Sequence, residues 1–285
     1  MEGQDLIYHY TNADGMLGII RNRKLWATDF SFMNDPGEVR YVSQELHGRL
    51  SSIHNDPSHE ISKFLEFLSN EYPDTKTALE HREDRAFITS FSDRDTHLTL
   101  WRLYAGKNGF SLGFDQDELL AWVDPPFDDI DDDDVREGRG TNYGHGAAYY
   151  TVGYGDEARE EILNELLELL CRSDFTFENN IDEINLLLDK FVSVKHDAYS
   201  DERETRLVLR NGSCHTDSKV RVSASMGIVP FVELAFPSEA LKKITLAPGQ
   251  DFQRAKNGVY AALDDGGRGR WSHVRVEPYD VPFLW

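Results

Sequence analysis

Glu202, Glu204 and Arg206 stand at alternate positions at the entry to the apolar run Leu207-Val-Leu209. If this stretch is a strand, its period of two puts all three on one face. Charge withdrawn from water has to be paired or used. Two neighbouring carboxylates can serve as general acid and base, or can stabilise positive charge developing in a transition state. Arg206 can grip one of them in a bidentate pair, which would equally make the group a surface ion-pair ladder.

A second candidate is His9, flanked by Tyr8 and Tyr10 in Leu6-Ile-Tyr-His-Tyr-Thr11. Alternation turns either the histidine or the two tyrosines toward the core, and a buried, hydrogen-bonded histidine is the plain alternative to a functional one. The third is the hydroxyl-rich end of Arg85-Ala-Phe-Ile-Thr-Ser-Phe-Ser92, where Ser90 and Ser92 share a face and can meet a ligand or satisfy nearby backbone groups. Trp101, Arg102 and Tyr104 read as core plus one surface charge, and Asn34-Asp35-Pro36 with Glu38 as a turn that caps a helix. His196 reads as the solvated end of a helix. No zinc-protease, paired-cysteine, phosphate-loop, dinucleotide-glycine or nucleophile-elbow motif occurs.

These candidates need elements to hold them. Strands are expected at 6–11, 24–28, 85–92, 109–114, 147–154, 204–210, 220–223, 228–233, 243–247 and 271–278. Helical spacing predicts helices over 16–21, 38–50, 58–72, 98–104, 156–172, 178–197 and 251–263, with another near 75–83. The glycines of Gly109-Phe-Ser-Leu-Gly113 suggest close backbone approach. Strands gather at both ends of the chain, so the expectation is an α+β fold in a single domain, 1–285. A helical segment at 41–83 and a helical hairpin at 156–197 are inserted into the β core.

The 285 residues carry 51 Asp plus Glu against 30 Lys plus Arg, a formal net charge of -21. Such a surface repels phosphate backbones and anionic lipid, so general nucleic-acid or membrane-surface binding is not expected, while a local basic pocket could still hold a phosphate-bearing small molecule and an acidic face could attract a basic protein partner. Asp128-Asp-Ile-Asp-Asp-Asp-Asp134 lacks the glycine turn and distal glutamate of a calcium loop and reads as a solvated loop. Two cysteines, with no basic-then-apolar leader and no spanning run, fit a reducing cytoplasmic setting.

Leu6–Thr11, Leu25-Trp26, Met33-Asn-Asp-Pro-Gly-Glu38, Ile88–Asp93, Leu100-Trp-Arg-Leu-Tyr104, Gly109–Phe114, Glu202-Arg-Glu-Thr-Arg206, Ile244–Gly249 and Val281-Pro282 resemble, in this order, domain-of-unknown-function family 2971. Gly37 stands where that family commonly has an apolar or aromatic residue. The pattern is more distantly similar to the ADP-ribosyltransferase fold, a core of two packed β-sheets with helices inserted between the strands. In that fold a His or Arg, a Ser-Thr-Ser-like strand and a Glu-x-Glu follow one another, as His9, Ser90-Phe-Ser92 and Glu202-Arg-Glu204 do here. Phe91 takes the place of the central threonine.

The resemblance implies NAD as substrate and ADP-ribosyl transfer or NAD glycohydrolysis by a toxin-like or phage-defence effector, with a protein among the open acceptors. It assigns Glu204 to the developing ribose cation, Glu202 to the acceptor, and His9 to the ribose or adenosine. Ser90 or Ser92 would hold the carboxylate or the ribose. Tyr10, Trp26 or Trp101 would wall the nicotinamide, Arg102 or Arg206 would meet the pyrophosphate, and Thr11 would adjoin the ligand. The competing expectations are a non-catalytic ligand-sensing or protein-interaction module of the same fold, and a metal-dependent hydrolase using Asp35, Glu38 and Glu202.

Overall fold

The strand Ala86–Ser92 is where the sheet branches. A computed structural model describes residues 6–33, 45–46, 48–50, 59–71, 86–123, 147–210, 218–223 and 227–279. Its strands are β1 (Leu6–Thr11), β2 (Lys24–Asp29), β3 (Ala86–Ser92), β4 (Phe110–Asp115), β5 (Ala147–Thr151), β6 (Gly153–Tyr154), β7 (Val194–Lys195), β8 (Glu204–Arg210), β9 (Lys219–Ser223), β10 (Gly227–Ala235), β11 (Leu241–Leu246) and β12 (Arg275–Pro278). β8 pairs with β3 along its whole length. β2 meets β3 only at Phe87 and Ile88, and β1 meets it only at Ser92. Two arms therefore diverge from β3: β1-β4-β11-β12 and β2-β10-β9. Together with β5 they form one ten-stranded sheet beside a separate β6-β7 pair. The two packed sheets expected from the sequence are, among the described residues, one branched sheet in a mixed α/β architecture.

Alternation sorts the residues onto two faces. Phe87 and Phe91 of β3, Leu207 and Leu209 of β8, and Leu112 of β4 enter the main core. That core is covered by α1 (Ala13–Asn22), α3 (Gln116–Val123) and α6 (Phe252–Asp265), which contribute Ile20, Leu119 and Val259. Polar caps start these helices where the sequence offers them: Asn12 Oδ1 accepts from the Gly15 N–H at 2.8 Å, and Asp251 Oδ1 from the Arg254 N–H at 3.0 Å. Helices α2 (His59–Glu71), α4 (Gly155–Leu170) and α5 (Ile181–Phe191) build a second core around Phe64, Leu163, Leu166 and Ile184.

The opposite sheet face carries Tyr8 and Tyr10 of β1, Trp26 and Thr28 of β2, Ser90 and Ser92 of β3, Glu204 and Arg206 of β8, and Arg221 of β9. This follows from register: Tyr8 lies across from Ser92, Ser92 from Glu204, Ser90 from Arg206, and Thr28 from Ile88. Close approach on β1 and β4 depends on glycine. A Cβ on Gly113 would meet Tyr8 Cε1 at 2.8 Å, and one on Gly109 would meet the Ala105 carbonyl oxygen at 2.2 Å.

Several sequence expectations need correction. The helix expected over 178–197 is a turn at Glu178–Asn180 followed by α5, which stops at Phe191 ahead of Val192-Ser193-Val194. β-branched residues favour extended backbone, and Val194-Lys195 pairs with β6. His196 is not a helix end but caps the 3-10 helix Asp197–Glu202, its Nδ1 accepting from the Ala198 N–H. Residues 98–104 form one turn that runs into a π-helical segment, Trp101–Ala105. Helix α3 has no counterpart in the sequence reading, because its eight residues are too few for periodicity to register. Asn34, Asp35, Pro36, Glu38, the helix near 75–83, the acidic run 128–134, Cys214 and Val281-Pro282 lie outside the described residues.

Candidate functional site

A cleft of ≈ 260 Å³ opens on the polar sheet face, beside the branch point. Its floor is Ser90, Glu204 and Arg206, its sides are Tyr8 and Tyr10 on one arm and Thr28, Val229 and Arg221 on the other, and Lys195, Glu202 and Tyr104 close over it. Segments around positions 9, 90 and 204 thus meet in one cavity.

The carboxylates are held differently from the strand-face expectation. Glu202 ends the 3-10 helix Asp197–Glu202 rather than lying on β8, and Arg203, in the left-handed region at φ 44°, turns the chain into the strand. Lys195 nevertheless joins the two: its Nζ lies 2.6 Å from Glu202 Oε2 and 2.6 Å from Glu204 Oε2. Arg206 adds a two-pronged contact, Nε donating to Glu204 Oε1 at 3.0 Å and Nη2 to Oε2 at 3.3 Å, while its Nη1 donates to the Val192 carbonyl. Tyr104 donates its hydroxyl to Glu202 Oε1 at 3.0 Å. Ser92 Oγ donates to the Glu202 carbonyl at 2.9 Å, and the Glu204 N–H donates to Tyr154 Oη at 2.9 Å. All four charged groups are buried.

Burial alone would raise the Glu204 pKa, but the adjacent Arg206 and Lys195 charges outweigh it and pull the carboxyl down to about 2. For Lys195 burial acts downward, yet Glu204 and Glu202 hold its ammonium above the ordinary value. Two cations therefore face two anions with no charge left over. Of the four carboxylate oxygens, Glu202 Oε1 is the one met by a neutral donor, on a tyrosine that is 39% exposed.

His9 reaches the cleft from the other side of the sheet. By register it faces Leu112 and the main core, and its ring sits edge-on to Phe91 at 5.9 Å. Its Nδ1 lies 3.0 Å from the Ser90 carbonyl oxygen, just where β1 and β2 have parted from β3. A carbonyl only accepts, so Nδ1 carries the proton; burial keeps the imidazole pKa low, and the neutral ring retains Nε2 as an acceptor.

Of the ligand-contact residues implied by the resemblance, Tyr10, Ser90 and Arg206 line the cleft. Tyr10 is anchored at its hydroxyl, which donates to the Arg94 carbonyl at 2.7 Å and accepts from the His97 N–H at 3.0 Å. Ser92 is buried beneath the ladder. Trp101 is fully buried, edge-on to Tyr10 and stacked on Tyr279, outside the cleft lining. Arg102 is exposed outside it, Thr11 lies against Gly15, and Trp26 projects beside Arg221 at the outer end.

Lys195, Arg221 and Tyr8 were not singled out from the sequence. Arg221 had a local signal, since Lys219-Val-Arg-Val-Ser223 alternates a charged face with an apolar one. Lys195 had only its position after Val192-Ser-Val194, and nothing local names its partners.

Tyr104, Lys195, Glu202, Glu204 and Arg206 all fall in one stretch, from the π-helical turn to the start of β8. Residues 100–207 match the family described as Protein of unknown function (DUF2971). The matched segment contains the whole carboxylate ladder with both its cations and its tyrosine, while His9, Ser90 and Arg221 come from strands outside it. No curated protein and no solved structure matches this chain.

Proposed function

We propose that this protein binds NAD in the cleft and cleaves the bond between nicotinamide and ribose, passing ADP-ribose to water or to an acceptor. One observation carries the reading: His9, Ser90 and the Glu202-to-Arg206 group, remote in sequence, line a single cavity. At ≈ 260 Å³ it lies just under the about 300–1,000 Å³ of typical small-molecule sites, which suits one end of a dinucleotide with the remainder lying across the mouth.

The glycosidic bond breaks with its electron pair moving to the pyridinium nitrogen, so nicotinamide leaves neutral and positive charge develops at ribose C1′. An oxygen of water or acceptor then bonds to C1′ and loses its proton. A carboxylate beside C1′ stabilises the transition state more than the ground state. The resemblance gives that part to Glu204, but Glu204 is gripped by two cations. Glu202 Oε1, whose one hydrogen-bond partner among the described residues is the neutral Tyr104 hydroxyl, is the oxygen a ribose hydroxyl or C1′ can approach if it displaces that tyrosine. In this reading Glu202 acts on the cation, Glu204 fixes Lys195 and Arg206, and His9 Nε2 accepts a ribose hydroxyl. A toxin-like or defence effector in the cytoplasm that consumes NAD is the corresponding biological role.

The test is nicotinamide release from NAD by the full chain and by Glu202→Gln. Loss of one such electrostatic group costs roughly 100- to 1,000-fold in rate. Equal release by both proteins rejects the assignment. A second reading, a module that binds the nucleotide without cleaving it, is favoured by the charge balance of the ladder; NAD binding with no nicotinamide release selects it.

A further inference from the structure

Arg221 differs from every other cation around the cleft. Lys195 and Arg206 are matched by Glu202 and Glu204, and Lys219 and Lys24, its neighbours on β9 and β2, both pair with Glu233. Arg221 has no carboxylate within ion-pair distance among the described residues, in a chain where acidic residues outnumber basic ones 51 to 30. It is half-buried, its Nη2 donates to Thr28 Oγ1 at 3.1 Å, and its Nε is buried with no hydrogen-bond partner. Its guanidinium lies 5.7 Å from the ring centre of Trp26, itself packed on Phe231 at 4.6 Å, so the fork is braced from behind. Burial lowers the Arg221 pKa with no acidic neighbour to offset it.

We propose that Arg221, braced by Trp26 and Thr28, forms an anion subsite at the outer end of the cleft that takes a phosphoryl group of a small nucleotide. A half-buried cation with no matching carboxylate is a donor array awaiting an acceptor. A phosphoryl group offers three oxygens, enough to accept from the Nη groups of the fork and from the Thr28 hydroxyl together, while the buried Nε marks how far the guanidinium is withdrawn from water. The subsite supplies local positive charge that the acidic surface lacks, so an anionic ligand can enter despite the net charge of -21. The pyrophosphate contact expected from Arg102 or Arg206 passes to Arg221, since Arg206 is occupied by Glu204 and Arg102 is off the cleft. The inference rests on the cleft being a nucleotide site and not on bond cleavage.

Calorimetric titration of the full chain with ADP, adenosine and inorganic phosphate tests it, with thermal melting to confirm that each variant folds. ADP should bind at least tenfold more tightly than adenosine, and raised salt should weaken ADP alone. Arg221→Gln should weaken ADP tenfold or more while leaving adenosine unchanged. Arg221→Lys, which keeps the charge but loses the fork, should fall between, and it carries the test if Arg221→Gln does not fold. Phosphate binding as tightly as ADP, and lost in the variant, upholds the anion subsite and assigns it to the free ion. Equal ADP affinity in wild type and Arg221→Gln overturns the proposal, as does failure of wild type to bind either ADP or phosphate. Normal ADP binding without nicotinamide release sinks the cleavage reading alone.

Discussion

The Lys195 ammonium lies 2.6 Å from Glu204 Oε2, and it reaches Glu202 Oε2 at the same distance from the other side. One lysine on a two-residue strand thereby couples a carboxylate on β8 to a carboxylate that is not on β8 at all. Sequence alternation brings Glu204 and Arg206 to one face; it is Lys195 that adds Glu202.

Replacing Lys195 with Met leaves two buried carboxylates sharing the single cation of Arg206. Removing one partner from a buried ion pair costs about 3–5 kcal/mol, so Lys195→Met is expected to lower the unfolding free energy by that amount. Chemical denaturation measures it, and a loss below about 1 kcal/mol would show that the ladder is better hydrated than its burial indicates.

Acid stability isolates Glu204. Its carboxyl is held at about 2 in the folded protein against an ordinary 4.5, so the folded state binds this proton more weakly than the unfolded chain. The resulting stabilisation is complete above 4.5 and is lost as the pH falls toward about 2, amounting to something on the order of 3 kcal/mol. Glu204→Gln should be less stable at neutral pH and should show a flatter stability profile across that window.

His9 destabilises on acidification too, at higher pH and for the opposite electrostatic reason: its folded environment favours the neutral form, whereas that of Glu204 favours the charged one. Burial depresses its pKa, so as the pH drops below the ordinary 6.5 the unfolded chain takes up a proton that the folded chain refuses, and stability declines. His9→Asn keeps an N–H for the Ser90 carbonyl and removes this decline between neutral pH and pH about 5. His9→Ala removes it too, but strands the carbonyl and costs about 1–3 kcal/mol. Denaturation curves of the two variants across that range separate the hydrogen bond from the charge.

Two glycines should respond with opposite signs to the same change. Gly113→Ala drives a methyl into the Tyr8 ring at 2.8 Å and should cost about 1–3 kcal/mol while shifting a cleft-lining side chain. Gly258→Ala, in the middle of α6 with nothing within 4 Å, should raise stability by about 1 kcal/mol. Thermal melts of both single variants check the pair.

What could be read from the residues was what their near neighbours decide. The strand β3, the close approach at Gly109 and Gly113, and the shared face of Glu204 and Arg206 follow from a period of two and from backbone sterics, all short-range. The sheet's branching at β3, the entry of His9 through that gap from the core face, the Lys195 bridge and the unmatched Arg221 were decided by folding alone. His9 meets Ser90 81 positions on and Arg221 meets Thr28 193 positions back, while Lys195 reaches Glu202 only through the turn between β7 and β8; a single residue's charge or ring carries no address for any of these partners.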